Sequence, residues 1–200
     1  MEYLAAALAG WVAGSIPSGY WLVRLVRGID IRSVGSRSIG ATNVWRVLGW
    51  RYGVPVIVLD VAKGFVPVLV ARLLVDDLAA VLAGGAAMAG HWRPLFLRFE
   101  RGGKIVATTG GVLFGLAPLV ALAGVAVWWA VFLVARYVSV ASIAAALSLP
   151  AAAFAFDESW PVKALAVAGA VAVAVLHRAN VQRLRRGNEP RVRLRAVFSR

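Results

Sequence analysis

The chain contains no cysteine, and few of its 200 residues are acidic. Without cysteine it has no disulfide, no cysteine-ligated zinc and no thiol nucleophile. Nine aspartates and glutamates stand against 22 lysines and arginines, so the formal net charge is +13. The acidic residues do not cluster among the basic loops, and a carboxylate site for Mg²⁺ or Zn²⁺ is therefore not expected. No metal ion or other cofactor is predicted.

Long polar stretches are scarce as well, because 61% of the residues are hydrophobic and the mean hydropathy is +0.79. A soluble domain of this length is nearer half apolar, so the bilayer is the expected solvent. The positive charge suits anionic membrane lipids or a phosphorylated substrate better than nucleic acid, since no basic-aromatic module stands apart from the apolar runs. A signal peptide is not expected, because the first segment carries Glu2 and has no basic residue before Arg24.

The apolar runs predict an all-α, polytopic membrane protein with seven transmembrane helices. A spanning helix needs about 20 residues. The longest run is too long for one span, and a reversal near Gly115 and Pro118 would divide it into a short fourth and a short fifth helix. The predicted spans are Tyr3–Val23, Tyr52–Val75, Leu78–Leu97, the two halves of Val106–Ala135, Val138–Phe156 and Pro161–Leu176.

The distribution of charge predicts the orientation of these spans. Basic residues gather between the first and second spans, before the fourth span and in the tail, whereas Asp76, Asp77, Asp157 and Glu158 occupy the opposite loops. The positive-inside rule puts all three basic groups in the cytoplasm only if there are seven spans. The N-terminus would then lie outside. Residues 1–200 would form one integral-membrane domain that ends in a basic cytoplasmic tail, 177–200.

Four polar segments would meet on the cytoplasmic face in this topology. Glycines in them alternate with hydroxyl side chains and single cations, a composition typical of loops whose backbone N–H groups bind an anion. A phosphate site is therefore predicted, in preference to simple contact between basic residues and lipid headgroups. The four segments are Val34–Arg46, Arg98–Gly111, Ala135–Ser142 and His177–Val192.

Two well-known phosphate and acyl-transfer motifs are absent. The sequence RGGK resembles part of a nucleotide-binding P-loop, but Arg98 stands where the earlier glycine would be and Ile105 replaces the Ser/Thr. Soluble glycerolipid acyltransferases place an aspartate five positions after a histidine. Here His91 is followed at that distance by Phe96, and the histidine at 177 is followed by a glutamine.

Seven motifs, in order, resemble the PlsY-type acyl-phosphate:glycerol-3-phosphate acyltransferases, which are integral membrane enzymes of bacteria. The motifs read GSIPSGY, GIDIRSVGSRSIGATNVWRVLG, LDVAKG, GHWRPLFL, GGKIVAT, RYVSVAS and HRANVQRLRRGNEPR. The resemblance covers nearly the whole chain. It implies transfer of a fatty acyl group from acyl phosphate to the 1-hydroxyl of glycerol 3-phosphate in the bacterial inner membrane, giving lysophosphatidic acid.

The resemblance also implies the residues of the site. Catalytic roles fall on Lys104, His177, Arg46 and Ser36, and substrate-binding roles on Gly35, Thr42, Asn43, Gly102, Gly103, Ser142 and Asn180. Lysine and arginine would offset the repulsion between the two phosphates. The sequence leaves two candidates for the general base, His177 and a phosphate oxygen of the substrate. The enzyme is expected to act as a monomer.

The chain departs from the family's usual pattern in both loops. Gly35-Ser36-Arg37-Ser38 stands where the family usually reads Gly-Ser-Gly-Asn, and Ile105 stands where a glycine usually follows Gly-Gly-Lys. A lost glycine removes ready access to positive φ and adds a Cβ beside the substrate. A divergent paralogue with an altered acceptor is therefore one alternative.

Two further interpretations concern the rest of the molecule. Asp60 and Lys63 lie three positions apart, so they are predicted to pair inside the membrane, and His91 is predicted to orient the loop that follows it. The main functional alternatives to catalysis are an organic-phosphate transporter or exchanger, which needs access from both faces, and a non-catalytic lipid-binding protein.

Overall fold

The structure, a computed structural model, describes residues 1–192 and has no strand within them. Arg193, Arg195 and Arg200 of the predicted basic tail lie outside the described residues. The prediction of an all-α fold is confirmed. The helices are α1 (Glu2–Gly14), α2 (Ser18–Arg27), α3 (Ala41–Leu48), α4 (Trp50–Leu74), α5 (Asp77–Trp92), α6 (Val106–Leu116), α7 (Pro118–Ala135), α8 (Val138–Ala155), α9 (Trp160–Leu176) and α10 (Arg178–Arg185).

The first predicted span is not continuous, so the expectation of one helix over Tyr3–Val23 is wrong. The chain breaks between α1 and α2 at Pro17. Proline has no N–H to donate, and its ring restricts the residue before it to extended conformations. At this break the carbonyl of Ile16 accepts a hydrogen bond from the N–H of Ser18 (3.0 Å) and another from the Lys63 ammonium on α4 (2.8 Å). The buried Lys63 side chain thus supplies a hydrogen bond to the backbone where the helix is broken inside an apolar environment.

The third predicted span is shorter than expected, because α5 ends at Trp92 and does not reach Leu97. Pro94 accounts for the difference. The preceding residue, Arg93, is pushed out of the helical region to φ −127° and ψ 78°. The chain then makes one 3₁₀ turn, Leu95–Leu97, before it enters the loop that carries Lys104.

The predicted reversal in the longest apolar run is present. α6 ends at Leu116 and α7 begins at Pro118, a position in the first turn that suits proline because no N–H is needed there. Ala117 between them is not helical, with φ −145° and ψ 76°. Arg72 of α4 donates to the carbonyl of Gly115 at 3.2 Å, which caps the end of α6.

Within residues 1–192, three helices are long and apolar enough to cross a membrane by length and composition alone: α4, α7 and α8. A fourth qualifies if α9 and α10, bent by 49° at their junction, form one span. The other apolar helices fall below this threshold because they are short or broken.

Small residues allow the helices to approach closely where the functional loops begin. Gly14 of α1 packs on the backbone of Ala87 of α5, and Gly64 of α4 packs on the backbone of Thr108 of α6. Any added Cβ would overlap the facing chain, which is the packing that membrane helices favour. Asp60 and Lys63 form the predicted ion pair at 2.7 Å between α4 side chains that are 4% exposed.

Candidate active site

The opening loop, residues 28–40, is built around Asn43 of α3. The buried amide of Asn43 donates to the carbonyls of Val34 (3.1 Å) and Ser38 (2.9 Å), and its Oδ1 accepts from the N–H of Ser36 at 2.7 Å. Gly35 has φ +59°, and a Cβ there would overlap Oδ1 of Asn43. Both residues were predicted to bind substrate, but in the structure their contacts shape the loop that presents the Ser36 hydroxyl.

The second loop, residues 98–105, is held against the end of α5. The Gly102 N–H donates to the carbonyl of Trp92 at 2.9 Å, and the Gly103 N–H donates to the carbonyl of His91 at 3.0 Å. The expectation that these two N–H groups would be free to bind an anion is therefore wrong. The prediction that His91 orients this loop is confirmed, since its ring also packs on Gly103 so closely that a Cβ would overlap Nε2.

The two loops and α10 enclose a narrow space, here called the inner cleft, with about 20 Å³ open to water. It brings together four residues predicted for the site, which are Ser36, Gly102, Lys104 and Asn180. The full lining is Ser36, Arg37, Ser38, Arg101, Gly102, Lys104, Ala179, Asn180 and Arg183. Residues far apart in sequence thus converge on one cationic cleft.

Lys104 is the central cation of the inner cleft. Its ammonium donates to Oδ1 of Asn180 at 2.5 Å. Burial, together with the positive charges of Arg183, Arg101 and Arg46, lowers the pKa of Lys104 to about 8, and the negative charge of Glu189 opposes this shift. A neutralising phosphate would favour the charged ammonium, which is the behaviour expected of a group that binds an anionic substrate.

Glu189, which sequence reasoning did not assign to the site, organises this side of the cleft. Its Oε1 accepts from Asn180 (2.7 Å) and Ser139 (2.7 Å), and its Oε2 accepts from Arg183 (2.8 Å). Burial acts to raise the pKa of Glu189, but these three hydrogen bonds bring it below its usual value. One acidic residue in the arginine-rich segment after α9 was the signal that could have identified it.

His177 lies at the junction of α9 and α10 and is 3% exposed. Its Nδ1 is 2.8 Å from the carbonyl of Val173, which can only accept, so Nδ1 carries the proton and Nε2 has the free lone pair. Burial and then the positive charge of Lys104 lower the pKa of His177 to about 4. The imidazole is therefore neutral at physiological pH and a weak base.

Seven of the predicted site residues do not line the inner cleft: Gly35, Asn43, Gly103 and His177, whose contacts are given above, and Thr42, Arg46 and Ser142. Thr42 and Arg46 are exposed on α3, although the charge of Arg46 still acts on the lysine of the cleft. Ser142 is buried on α8, where its Oγ accepts from Nε1 of Trp128 at 3.2 Å. Ser142 therefore contacts Trp128 of α7 inside the helix bundle and does not line the cleft.

Comparison with known proteins identifies the family. The profile of the family described as glycerol-3-phosphate acyltransferase matches residues 4–187. The chain belongs to the glycerol-3-phosphate acyltransferase family. It is 45% identical to the glycerol-3-phosphate acyltransferase of Desulforudis audaxviator over 198 residues, covering 98% of this chain and 100% of the relative. It is 42% identical to that of Aquifex aeolicus, covering 96% and 100%.

Two crystal structures of PlsY, an integral membrane glycerol 3-phosphate acyltransferase, are similar to the fold of this family member. The glycerol 3-phosphate form superimposes with a TM-score of 0.93 at 39% identity, and the lysophosphatidic acid form with 0.90 at 38%. Both matches cover 100% of each chain. The predicted resemblance is confirmed, and the acyltransferase fold extends over the broken first helix, both loops and α10.

Proposed function

We propose that this acyltransferase transfers a fatty acyl group from an acyl phosphate to the 1-hydroxyl of glycerol 3-phosphate, releasing lysophosphatidic acid and phosphate for phospholipid synthesis. Membership of the glycerol-3-phosphate acyltransferase family supports the acceptor and the reaction class. The observation that carries the proposal is the inner cleft, where a half-buried ammonium and further cations stand beside Ser36 and Asn180. Such a concentration of positive charge suits phosphorylated substrates, for which the cleft has to widen.

The chemistry of the donor fits the groups that the cleft provides. An acyl phosphate is a mixed anhydride, so its phosphate leaves without strong protonation and no enzyme nucleophile is needed. The main obstacle is repulsion between two anions, which Lys104 and Arg46 offset. Holding the hydroxyl against the carbonyl carbon supplies several kcal/mol of the barrier, about 7–11 in favourable cases.

In the proposed reaction, the 1-hydroxyl oxygen forms a bond to the carbonyl carbon of the donor, and the bond from that carbon to the phosphate oxygen breaks. The hydroxyl proton passes to a phosphate oxygen or to Nε2 of His177. The histidine's pKa of about 4 makes it a weak base, which favours the phosphate oxygen as proton acceptor. Asn180 and Ser36 supply hydrogen bonds that orient the substrates around Lys104.

We further propose the seven-span topology with the inner cleft on the cytoplasmic side of a bacterial inner membrane. α1 and α2 together would form the first span, α6 a short fourth span, and α7 the fifth, which at 18 residues is longer than the short helix predicted from the sequence. Residues 1–200 would act as one domain and as a monomer, because a single chain supplies every group of the cleft.

The topology can be tested with single cysteines, because the chain has none of its own. Asp157→Cys, between α8 and α9, should react with a membrane-impermeant maleimide from outside sealed cells. Arg186→Cys, just after α10, should react only after the membrane is opened. Reaction of both from the same side would contradict the seven-span arrangement.

The donor can be tested with purified protein in detergent. Palmitoyl phosphate and glycerol 3-phosphate should give lysophosphatidic acid, while palmitoyl-CoA should give little. Equal rates with both donors would contradict the proposed donor. Uptake of glycerol 3-phosphate into protein-containing vesicles without any lysophosphatidic acid would instead indicate a transporter.

A further inference from the structure

A second and larger cleft adjoins the inner one. This outer cleft has about 440 Å³ open to water and is formed by the opening loop and the loop after α5. Its lining residues are Asp30, Arg32, Ser33, Arg37, Glu100 and Arg101. Arg37 and Arg101 line the inner cleft as well, so these two arginines form the partition between the clefts.

The other charged residues of the outer cleft, Arg32, Asp30 and Glu100, pair with one another and leave a net charge of −1. Arg32 forms an ion pair with Asp30 at 2.7 Å and another with Glu100, and its guanidinium lies 5.0 Å from the centre of the Tyr20 ring. Because Glu100 belongs to the second loop, this network also fixes the two loops relative to each other. The excess positive charge of the cleft therefore resides on the partition.

Arg37 and Arg101 have no ion-pair partner among residues 1–192. Their guanidinium groups can therefore donate to an incoming anion, and a planar guanidinium matches the geometry of a phosphate. Because both arginines line both clefts, they can bind a phosphate first in the outer cleft and then in the inner cleft.

The backbone sets the position of Arg37. It has φ +59°, a left-handed conformation that is costly for a residue with a Cβ, and its N–H donates to the carbonyl of Val34 at 3.0 Å. The neighbouring residues on both sides, Ser36 and Ser38, are hydrogen-bonded to Asn43. The surrounding loop thus holds Arg37 at the partition in a conformation that glycine would adopt more easily, and such strain is concentrated at functional sites.

The sizes of the clefts suggest an order of binding. A volume of about 20 Å³ is close to the minimum that holds one water molecule, so the inner cleft must widen to accept a phosphate. The outer cleft is large enough for a small, hydrophilic phosphate ester without such a change. The acyl donor, by contrast, carries a chain that belongs in the membrane.

From these features we infer that the outer cleft is the access site for glycerol 3-phosphate, and that Arg37 and Arg101 capture its phosphate and pass it to the inner cleft. The inference rests on the proposed acyl transfer. It adds a path by which glycerol 3-phosphate enters and two arginines that select it by its phosphate. A charge at the rim of a site mainly governs association and its dependence on salt. Arg37 and Arg101 thus affect the binding of glycerol 3-phosphate, whereas Lys104 affects the acyl-transfer step.

The test uses steady-state kinetics of the purified full-length protein with palmitoyl phosphate and glycerol 3-phosphate. Arg37→Gln and Arg101→Gln should each raise KM for glycerol 3-phosphate about five- to tenfold, while kcat and KM for palmitoyl phosphate change less than twofold. The dependence of kcat/KM on ionic strength should weaken in both variants. Arg37→Lys should recover most of the loss, because it restores the charge.

Arg98→Gln is the matched control. Arg98 is an exposed cation of the same loop region, it also has positive φ (+54°), and it lines neither cleft within the described residues. Its substitution should leave KM for glycerol 3-phosphate within twofold of the wild-type value. An equal effect of Arg98→Gln would show a diffuse electrostatic field and overturn the inference.

Three other results separate the inference from the proposed function. A rise in both KM values, or a loss confined to kcat, would overturn the access site while leaving acyl transfer established by the wild-type protein. Absence of lysophosphatidic acid with the wild-type protein would overturn the proposed function, and the access site with it. Calorimetric titration of glycerol 3-phosphate without donor should show weaker binding to Arg37→Gln than to Arg98→Gln, and equal binding would also contradict capture.

Discussion

Replacement of Lys104 by alanine removes the half-buried ammonium at the centre of the inner cleft and leaves Oδ1 of Asn180 without its hydrogen-bond donor. If the ammonium stabilises charge that develops during acyl transfer, kcat/KM should fall at least about a hundredfold. That ratio corresponds to ~2.7 kcal/mol, the size of loss found when one preorganised electrostatic contact is removed. Lys104→Arg should recover only part of the rate, because a planar guanidinium does not replace a compact ammonium.

The pKa of Lys104 provides a second, independent measurement. With a pKa of about 8, the side chain carries its charge below pH 8 and loses it as pH rises through that value. The wild-type kcat/KM should therefore decline on the alkaline side of pH 8, and this decline should be absent from the residual activity of Lys104→Ala. A lysine with its ordinary pKa would keep its charge through this range.

The matched control is Arg185→Ala near the end of α10. This exposed residue loses the same unit of charge but lines neither cleft among the described residues. Its kcat/KM should stay within twofold of the wild-type value. If Arg185→Ala were as damaging as Lys104→Ala, or if the alkaline decline persisted in Lys104→Ala, the assignment of a specific role to the ammonium would be refuted.

Two further substitutions test the groups that surround the lysine. Gly103→Ala should lower activity at least about tenfold, because the added Cβ overlaps the His91 ring, whereas Gly110→Ala on α6 meets no atom within 4 Å and should be neutral. A folded, fully active Gly103→Ala enzyme would contradict the close packing. Glu189→Gln should move the alkaline decline of kcat/KM to lower pH, because the negative charge of Glu189 raises the pKa of Lys104. An unchanged decline would show that Glu189 has no electrostatic effect on Lys104.

The helical pattern of the fold was predictable because apolar runs and their interruptions are local properties of sequence. The reversal at Gly115 and Pro118 was found because proline and glycine mark the point where the run exceeds one membrane thickness. The same rule applied to Pro17 and Pro94 would have divided the first span and shortened the third. Their effect was missed because the hydrophobicity of the segment continues across each proline.

The composition of the candidate site was more predictable than its geometry. Ser36, Lys104 and Asn180 came from motifs, and the structure brings them to one cleft. Sequence could not show that the glycine N–H groups are bonded to the end of α5, because that contact depends on how the loop folds back after Pro94. The positive charge needed for a phosphate therefore comes from side chains, whereas the backbone holds the loop in place.

Glu189 shows why a count of charges alone misinterprets the arginine-rich segment after α9. Among so many arginines it is easily interpreted as a solvated counter-charge, yet its two carboxylate oxygens accept three hydrogen bonds. One of these comes from Asn180, which in turn accepts a hydrogen bond from Lys104. A binding site for two anions needs excess positive charge, but cations packed together repel one another and lower each other's pKa. One acidic residue set behind the cleft reduces that repulsion without facing the substrate. In the proposed mechanism the excess of arginine attracts the phosphates, and Glu189, by raising the pKa of Lys104, helps to keep its ammonium charged so that it can act on them.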